Sequence, residues 1–280
     1  MPELPEVETA RRVLERALLG RRIAEVEVAP DEIVLQGLPP EAVAEACRGQ
    51  KVTKIGRKGK TWWIEFESEP VVLGHLGMSG WIRELGESTI RLREHGQAPF
   101  EDAEGKTRFL KLRLTSDEGR TVVLTDGRRL ARLWMDASAE TNPKVMQLGR
   151  DWFLDPTPAD ELWTQLNRRK APIKSLLLNQ ELFAGVGNWI ADEALYHAGI
   201  APQRLGASLS RPEVARLAEA LVRIIQWAVE VGADSEKYPE DWLFHTRWGG
   251  GKGDELHQGQ PLLREAIGGR TTAWVPSRQK

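Results

Sequence analysis

The chain has 280 residues, a single cysteine and a formal net charge of −2, with 39 Lys and Arg against 41 Asp and Glu. One thiol excludes an intramolecular disulfide and a cysteine-built zinc site, and no run approaches the roughly 20 apolar residues of a membrane span. The start also lacks the basic and apolar regions of a signal peptide, so a cytoplasmic protein without a membrane partner is expected.

The first element is a helix over Glu6 to Leu19, with apolar positions at Val7, Ala10, Val13, Leu14, Ala17 and Leu18 and a stop at Gly20. Short alternating runs follow at Ile23–Val28, Lys51–Ile55, Thr61–Glu67, Val71–Leu73, Phe109–Thr115 and Thr121–Leu124, as half-buried antiparallel strands do. Between the first two, Glu41 to Cys47 reads as a short helix, with Cys47 filling the core. Glu84 to Lys106 is polar without steady periodicity and reads as a long loop, and Asp136 to Pro143 has the composition of a linker. Helices then dominate: Pro158–Arg168, Pro172–Leu178, Asn188–Ala198 and Arg211–Val231. The tail from Leu243 is rich in Gly, Trp and Arg and ends in β-like pieces such as Thr271 to Val275. The fold class is therefore α+β: an N-terminal β-sandwich bearing a helix, a helical domain and a terminal hairpin, with boundaries at 1–137, 138–240 and 241–280.

The net charge argues mildly against a nucleic-acid partner, but its distribution argues for one. Basic residues cluster at Arg57-Lys58-Lys60, Arg128-Arg129-Arg132, Arg168-Arg169-Lys170-Lys174 and Arg247-Lys252, with Arg270, Arg278 and Lys280 beyond. Any one cluster is by default a solvated face; several interleaved with Gly and Trp suit a phosphate-tracking groove.

Four segments carry chemistry. Met1-Pro2-Glu3-Leu4-Pro5-Glu6-Val7-Glu8 leaves, once methionine is trimmed, a secondary amine beside a carboxylate. An α-amino group titrates near 7.7–8.0, so part of it is an unprotonated nucleophile at neutral pH. Attack on a sugar C1′ would expel a base and leave an iminium, with Glu3 shuttling protons; the same residues also suit an ordinary helix start. Gly185-Val186-Gly187-Asn188 permits a tight turn and aims helix N–H groups at a phosphate, with Asn188 either an extra donor or simply an N-cap. His75-Leu76-Gly77-Met78-Ser79-Gly80 presents Met78, which is either core or a wedge for a base stack, and Thr125-Asp126-Gly127-Arg128-Arg129-Leu130 offers a second turn with a guanidinium and an apolar tip.

Together these segments, in this order, resemble the formamidopyrimidine-DNA glycosylase family over almost the whole chain. The resemblance implies a bifunctional DNA glycosylase and abasic-site lyase of base excision repair, removing oxidised or ring-opened bases. Pro2 would be the Schiff-base nucleophile, Glu3 the proton donor and acceptor, and Lys60 a phosphate and catalytic contact, with Glu6 holding the site. His75, Met78, Arg128 and Leu130 would meet DNA where the nucleotide is extruded, and Asn188 and Arg270 would grip the flanking phosphates. The partner would be damaged double-stranded DNA, held by a monomer in the cleft between the domains and near the nucleoid, with no cofactor.

Three departures qualify the transfer. The family's C-terminal zinc finger has no cysteines here, and His245 and His257 do not make a tetrahedral site; a zincless hairpin held by apolar packing of Trp274, Val275 and Leu262 is expected, with no bound metal. Leu130 stands where the family usually has phenylalanine and Gly127 where it has proline. Gly232 to Trp248 is shorter than the family's lesion-capping loop. Alternatives are therefore an endonuclease VIII-like glycosylase for oxidised pyrimidines or an abasic-site lyase, and, from another class, a non-catalytic damage-binding protein. Leu4 favours the formamidopyrimidine branch over the endonuclease VIII branch.

Overall fold

A computed structural model describes residues 2–92, 99–249 and 256–280, and the chain divides into two compact units, 1–147 and 148–280. In the first unit, helix α1 (Leu4–Leu18) is followed by β1 (Ile23–Val28), α2 (Pro40–Cys47) and β2 to β8 (Val52–Lys58, Thr61–Phe66, Val71–His75, Trp81–Glu84, Leu110–Ser116, Thr121–Thr125, Arg132–Asp136). The strands make two antiparallel four-stranded sheets, β1-β6-β7-β5 and β2-β3-β4-β8. A short helix α3 (Pro143–Met146), capped by the Asn142 side chain, closes the unit.

The core of this unit draws on both sheets and on α1. Ile82, Leu112, Leu114, Val122 and Leu124 from one sheet meet Ile55, Trp62, Ile64, Val72 and Leu133 from the other, and Val7, Ala10, Leu14, Ala17 and Leu18 of α1 join the same cluster. Burial of so many large apolar side chains, each contributing about 1.5–3 kcal/mol, anchors the helix that carries the N-terminus. Cys47 is fully buried in this cluster, and burial pushes its thiol up to about 12. Two strands escaped the sequence. Trp81–Glu84 is β5, so Glu84 does not open a loop: it is buried and ion-paired to Arg16 and Arg120. Arg132–Asp136 is β8, paired with β4 from Val71 opposite Asp136 to His75 opposite Arg132, so Asp136 ends a strand rather than starting a linker. The predicted loop over Glu84 to Lys106 partly lies outside the described residues, as does Lys252 of the basic clusters.

The second unit contains α4 (Ala159–Leu166), α5 (Ile173–Leu177), α6 (Asn188–Ala198) and α7 (Arg211–Glu230), then two hairpins, β9 (Leu256–His257) with β10 (Gln260–Pro261) and β11 (Leu263–Ile267) with β12 (Arg270–Trp274). Helix α7 starts with a capping box in which Ser210 and Glu213 satisfy each other's backbone, and Val214, Leu217, Leu221, Ile224, Ile225 and Ala228 are buried along one face. Among the described residues no helix is long and apolar enough to cross a membrane.

The β11–β12 hairpin is seated by a cluster of Tyr196, Leu243, Leu262, Ala273 and Val275. Leu262 and Val275 pack as expected. Trp274 does not: it is part-exposed, and its indole N–H donates to Glu265 Oε1 at 2.6 Å. Trp274 ends β12 with its indole N–H on Glu265 of β11, while Val275, just past the strand, packs in the cluster.

Candidate DNA-processing site

At the head of α1, Pro2 is buried, as are Glu3 and Glu6. Glu3 is the N-cap, and a capping box ties the two acids together: the Glu3 carboxylate accepts from the Glu6 N–H, and Glu6 Oε2 accepts from the Glu3 N–H at 2.9 Å. The side chain of Glu3 is thus held over the first turn, beside Pro2. Pro5 fits here because the first helical turn has N–H groups without intrahelical acceptors.

Lys60 is buried at the tip of the β2–β3 hairpin, directly before Thr61, which stands opposite His75 of β4. Two residues outside the expected catalytic set tie this tip to α1. Arg57, fully buried, donates from Nε to Glu8 Oε2 of α1 at 2.9 Å and from a terminal nitrogen to the Gly59 carbonyl at 2.9 Å. Glu8 also takes Arg11 and Arg12; burial works to raise its carboxyl, but Arg11 and Arg57 hold it below the usual range. Arg57 therefore leaves the proposed phosphate-tracking clusters and becomes a positioning residue. The signal was present as an acid at Glu8 and a base at Arg57, but nothing in a sequence pairs residues 49 apart.

His75 is part-buried, and its Nδ1 accepts from the Gly77 N–H at 2.9 Å. Burial, with the Lys60 and Arg132 charges nearby, pushes its pKa down to about 4, so the ring is neutral at physiological pH. The next turn lifts Met78, part-exposed, out of the sheet. Gly77 is needed there on two counts: its φ is +64, and a Cβ on it would lie 2.2 Å from the Leu130 carbonyl oxygen.

The Met78 turn thereby abuts the Arg128 turn, and a single carboxylate organises both. Asp126, 1% exposed, accepts from Ser79 Oγ at 2.6 Å and from the backbone N–H of Arg128 at 3.0 Å, Leu130 at 2.6 Å and Ala131 at 2.6 Å. Arg128 is exposed, Leu130 part-exposed, and neighbouring Arg129 is turned away into an ion pair with Asp31 at 3.0 Å. Asp126 lies within the Thr125–Leu130 turn motif, but its role depends on Ser79, 47 residues away, which the motif does not contain.

In the second unit, Gly187 rather than Asn188 is the N-cap of α6, because Gly187 has extended dihedrals and Asn188 is already helical. Asn188 Nδ2 donates to the Thr271 carbonyl at 2.9 Å, next to Arg270, while its Oδ1 is buried without a partner among the described residues. The glycine loop is clamped by Gln180, whose amide accepts from the Gly185 N–H and donates to the Val186 carbonyl. Arg270 is exposed at the start of β12, just past a Gly268–Gly269 turn in which a Cβ on Gly268 would meet Ser175 Oγ of α5 at 2.6 Å.

Asp192, fully buried, fixes this arrangement. It is ion-paired to Lys174 of α5 and to Arg247 at 2.7 Å and accepts from the Ala273 N–H of β12 at 3.2 Å. Lys174 and Arg247 are thus interior counter-ions, not groove residues. His257 Nδ1 lies 2.9 Å from Thr246 Oγ1, and His245 Nε2 lies 3.1 Å from the Pro239 carbonyl; among the described residues no His, Cys, Asp or Glu group is arranged to hold a metal. The segment after Gly232 folds onto α6: Tyr238, Trp242 and Phe244 set their rings 5.6, 6.4 and 5.3 Å from that of Trp189.

Residues 1–133 match the formamidopyrimidine-DNA glycosylase N-terminal domain, and residues 148–239 match the H2TH domain of the same enzymes. A formamidopyrimidine-DNA glycosylase of Arabidopsis thaliana is 37% identical over 280 residues, covering 100% of this chain and 71% of the relative. That of Corynebacterium jeikeium is 31% identical with 100% of both chains covered. The chain belongs to the formamidopyrimidine-DNA glycosylase family. Solved structures agree: a MutM in complex with DNA containing carbocyclic 8-oxo-G superposes with a TM-score of 0.79 at 25% identity over 100% of both chains. The MutM (Fpg) protein of Thermus thermophilus gives 0.75 at 29%, over 99% of this chain and 98% of the other. This glycosylase-family chain thus has the family's α+β architecture and its helix-two-turn-helix, and the family's work is DNA base excision repair.

Proposed function

We propose that the protein is a bifunctional DNA glycosylase and abasic-site lyase whose nucleophile is the amine of Pro2. The observation that carries the reading is the head of α1, where Pro2 and two buried carboxylates share one turn of a core-anchored helix. In this reading the Pro2 nitrogen forms a bond to C1′ of a flipped nucleotide as the glycosidic bond breaks. The base leaves, and loss of the amine proton with opening of the sugar ring gives a cationic iminium. Glu3 moves protons between the sugar and the departing groups, a role worth about 10²–10⁴ in rate. The iminium withdraws electrons from the sugar, so a C2′ proton is lost and the 3′ phosphate departs, cutting the strand.

Lys60 contacts the phosphate next to the reacting sugar, held there by the Arg57–Glu8 tie. Met78, Arg128 and Leu130 fill the space left by the extruded nucleotide, with His75 supporting the first of these turns, and Asn188 and Arg270 bind the flanking phosphates.

The substrate class is oxidised or ring-opened bases in duplex DNA. With Leu130 in the wedge and the segment after Gly232 packed against Trp189, discrimination rests on how easily a nucleotide leaves the stack, since unstacking costs a few kcal/mol and least for damaged bases. Single-turnover rates on matched duplexes test this: ring-opened purines, oxidised pyrimidines and abasic sites should react at least as fast as 8-oxoguanine opposite cytosine. A strong preference for that last pair over every other lesion would contradict it.

A further inference from the structure

One aromatic residue beside the wedge has no role in the chemistry above. Phe109 is 51% exposed and sits directly before β6 with φ +56, a conformation that a bulky side chain rarely adopts. Such backbone persists only where the surroundings fix it, and it concentrates at functional sites. Here the fixing group is the Asp126 network: the Phe109 carbonyl accepts from the Asp126 N–H at 3.0 Å. On the same turn Gly127 leaves room for the ring, since a Cβ there would come within 3.2 Å of it. Packing and backbone together hold an apolar ring out at the surface, at the foot of the turn that carries Arg128 and Leu130.

The charges around the ring indicate what it meets. Arg108 lies over it at 5.0 Å, and neither Arg108 nor Arg128 pairs with a carboxylate among the described residues, whereas Arg113, Arg120 and Arg129 of the same sheet region all do. An exposed aromatic ring with one uncompensated guanidinium over it and a second on the adjoining turn matches the platforms that hold unstacked nucleic acid, where the ring takes a base and the cations take the phosphates. A protein-docking patch would more often show a wider apolar surface.

We propose that Phe109 is a DNA-contacting, specificity-determining residue that stacks on a nucleobase left without its partner at the damaged step, beside the Met78, Arg128 and Leu130 wedge, with Arg108 on the adjoining phosphate. Leu130 is a small apolar tip, and Phe109 supplies the aromatic surface that the tip lacks. The inference rests on the reading of this chain as an enzyme acting on damaged duplex DNA.

The test uses the full-length protein and a duplex with a tetrahydrofuran abasic analogue opposite 2-aminopurine. Phe109→Ala should raise the Kd for this duplex about tenfold or more, the range seen when a base-stacking aromatic is removed, and leave the Kd for the undamaged duplex within about twofold. Phe109→Leu, which keeps apolar bulk without the ring, should recover only a minor part. The 2-aminopurine fluorescence quenched by the wild type should return in both variants. Phe109→Gly, which relaxes the left-handed backbone and guards against misfolding, should bind as weakly as Phe109→Ala. If the wild type binds the damaged duplex selectively and is trapped on abasic DNA by borohydride, yet all three variants match it in Kd and quenching, Phe109 has no such role and the enzymatic reading stands. A wild type that neither prefers damage nor is trapped overturns that reading, and this inference with it.

Discussion

Replacing Asp126 with Asn tests how the wedge is built. One oxygen of this buried carboxylate serves Ser79 Oγ and the Arg128 N–H, and the other serves the N–H groups of Leu130 and Ala131. An Asn must place its NH₂ on one side. Placed at the second oxygen it opposes two backbone donors. Placed at the first it opposes only the Arg128 N–H, because the Ser79 hydroxyl can rotate to accept, so this orientation wins. The variant then loses one charge-assisted hydrogen bond and weakens the other three. At about 1.5–3 kcal/mol for a bond to a charged group against about 1 for a neutral one, the first unit should lose at least about 3 kcal/mol. Asp126→Ala, which strands three backbone N–H groups, should cost more. Urea unfolding followed by circular dichroism measures the loss. Excision of a damaged base should fall at least about tenfold because the Arg128 backbone is released, while borohydride trapping on a preformed abasic site changes little, because Pro2 and Glu3 are held at the head of α1 and not by Asp126. A Asp126→Asn protein within about 0.5 kcal/mol of wild type, with normal excision, would refute the argument.

The remaining predictions concern charge. Because the folded protein holds the His75 pKa at about 4, below the ordinary 6.5, the unfolded chain binds that proton more tightly; the stability tied to the neutral ring is complete above about pH 6.5 and drains as pH falls toward 4. Thermal melts of wild type and His75→Gln, which keeps an acceptor for Gly77, should therefore converge or cross over that window, and parallel curves would contradict the assignment. Asp192→Asn leaves Lys174 and Arg247 as poorly compensated buried cations, which typically costs about 3–5 kcal/mol, and hydrogen exchange should show the β11–β12 hairpin opening well before α7. Arg270→Ala should weaken binding to all duplexes alike and lower the slope of log K against log salt by about one, as loss of a phosphate contact does; a sequence-dependent effect would argue against a phosphate contact.

What the sequence conveyed followed from periodicity. Helices α1 and α7 carry long apolar stripes and open on capping boxes, α6 ends on a left-handed Gly199, and β1 shows its buried side through Ile23, Val26 and Val28 despite a register shift between Ile23 and Glu25. Strand β5 escaped because Trp81-Ile82-Arg83-Glu84 is buried throughout, its two charged residues included, so no alternation marks it. Strand β8 escaped because Asp136 and the residues after it look like a linker, and only the pairing with β4 makes Arg132–Asp136 a strand. At the site, turns whose chemistry is local were legible: Pro2-Glu3, Gly77-Met78 and Gly187-Asn188. The residues that hold those turns were not. Glu8 with Arg57, Asp126 with Ser79, and Asp192 with Lys174 and Arg247 are buried polar partners far apart in the chain, and from sequence alone their cations read as surface charge.

The most direct test of the central claim is borohydride reduction of the protein on DNA with a single abasic site, followed by peptide mapping of the adduct. The account predicts one covalent complex per chain, with the added mass on the nitrogen of Pro2 in the N-terminal peptide, and loss of that complex in a Pro2→Gly protein that retains its initiator methionine. Full trapping in that variant, or an adduct on Lys60 or any other lysine, would contradict it.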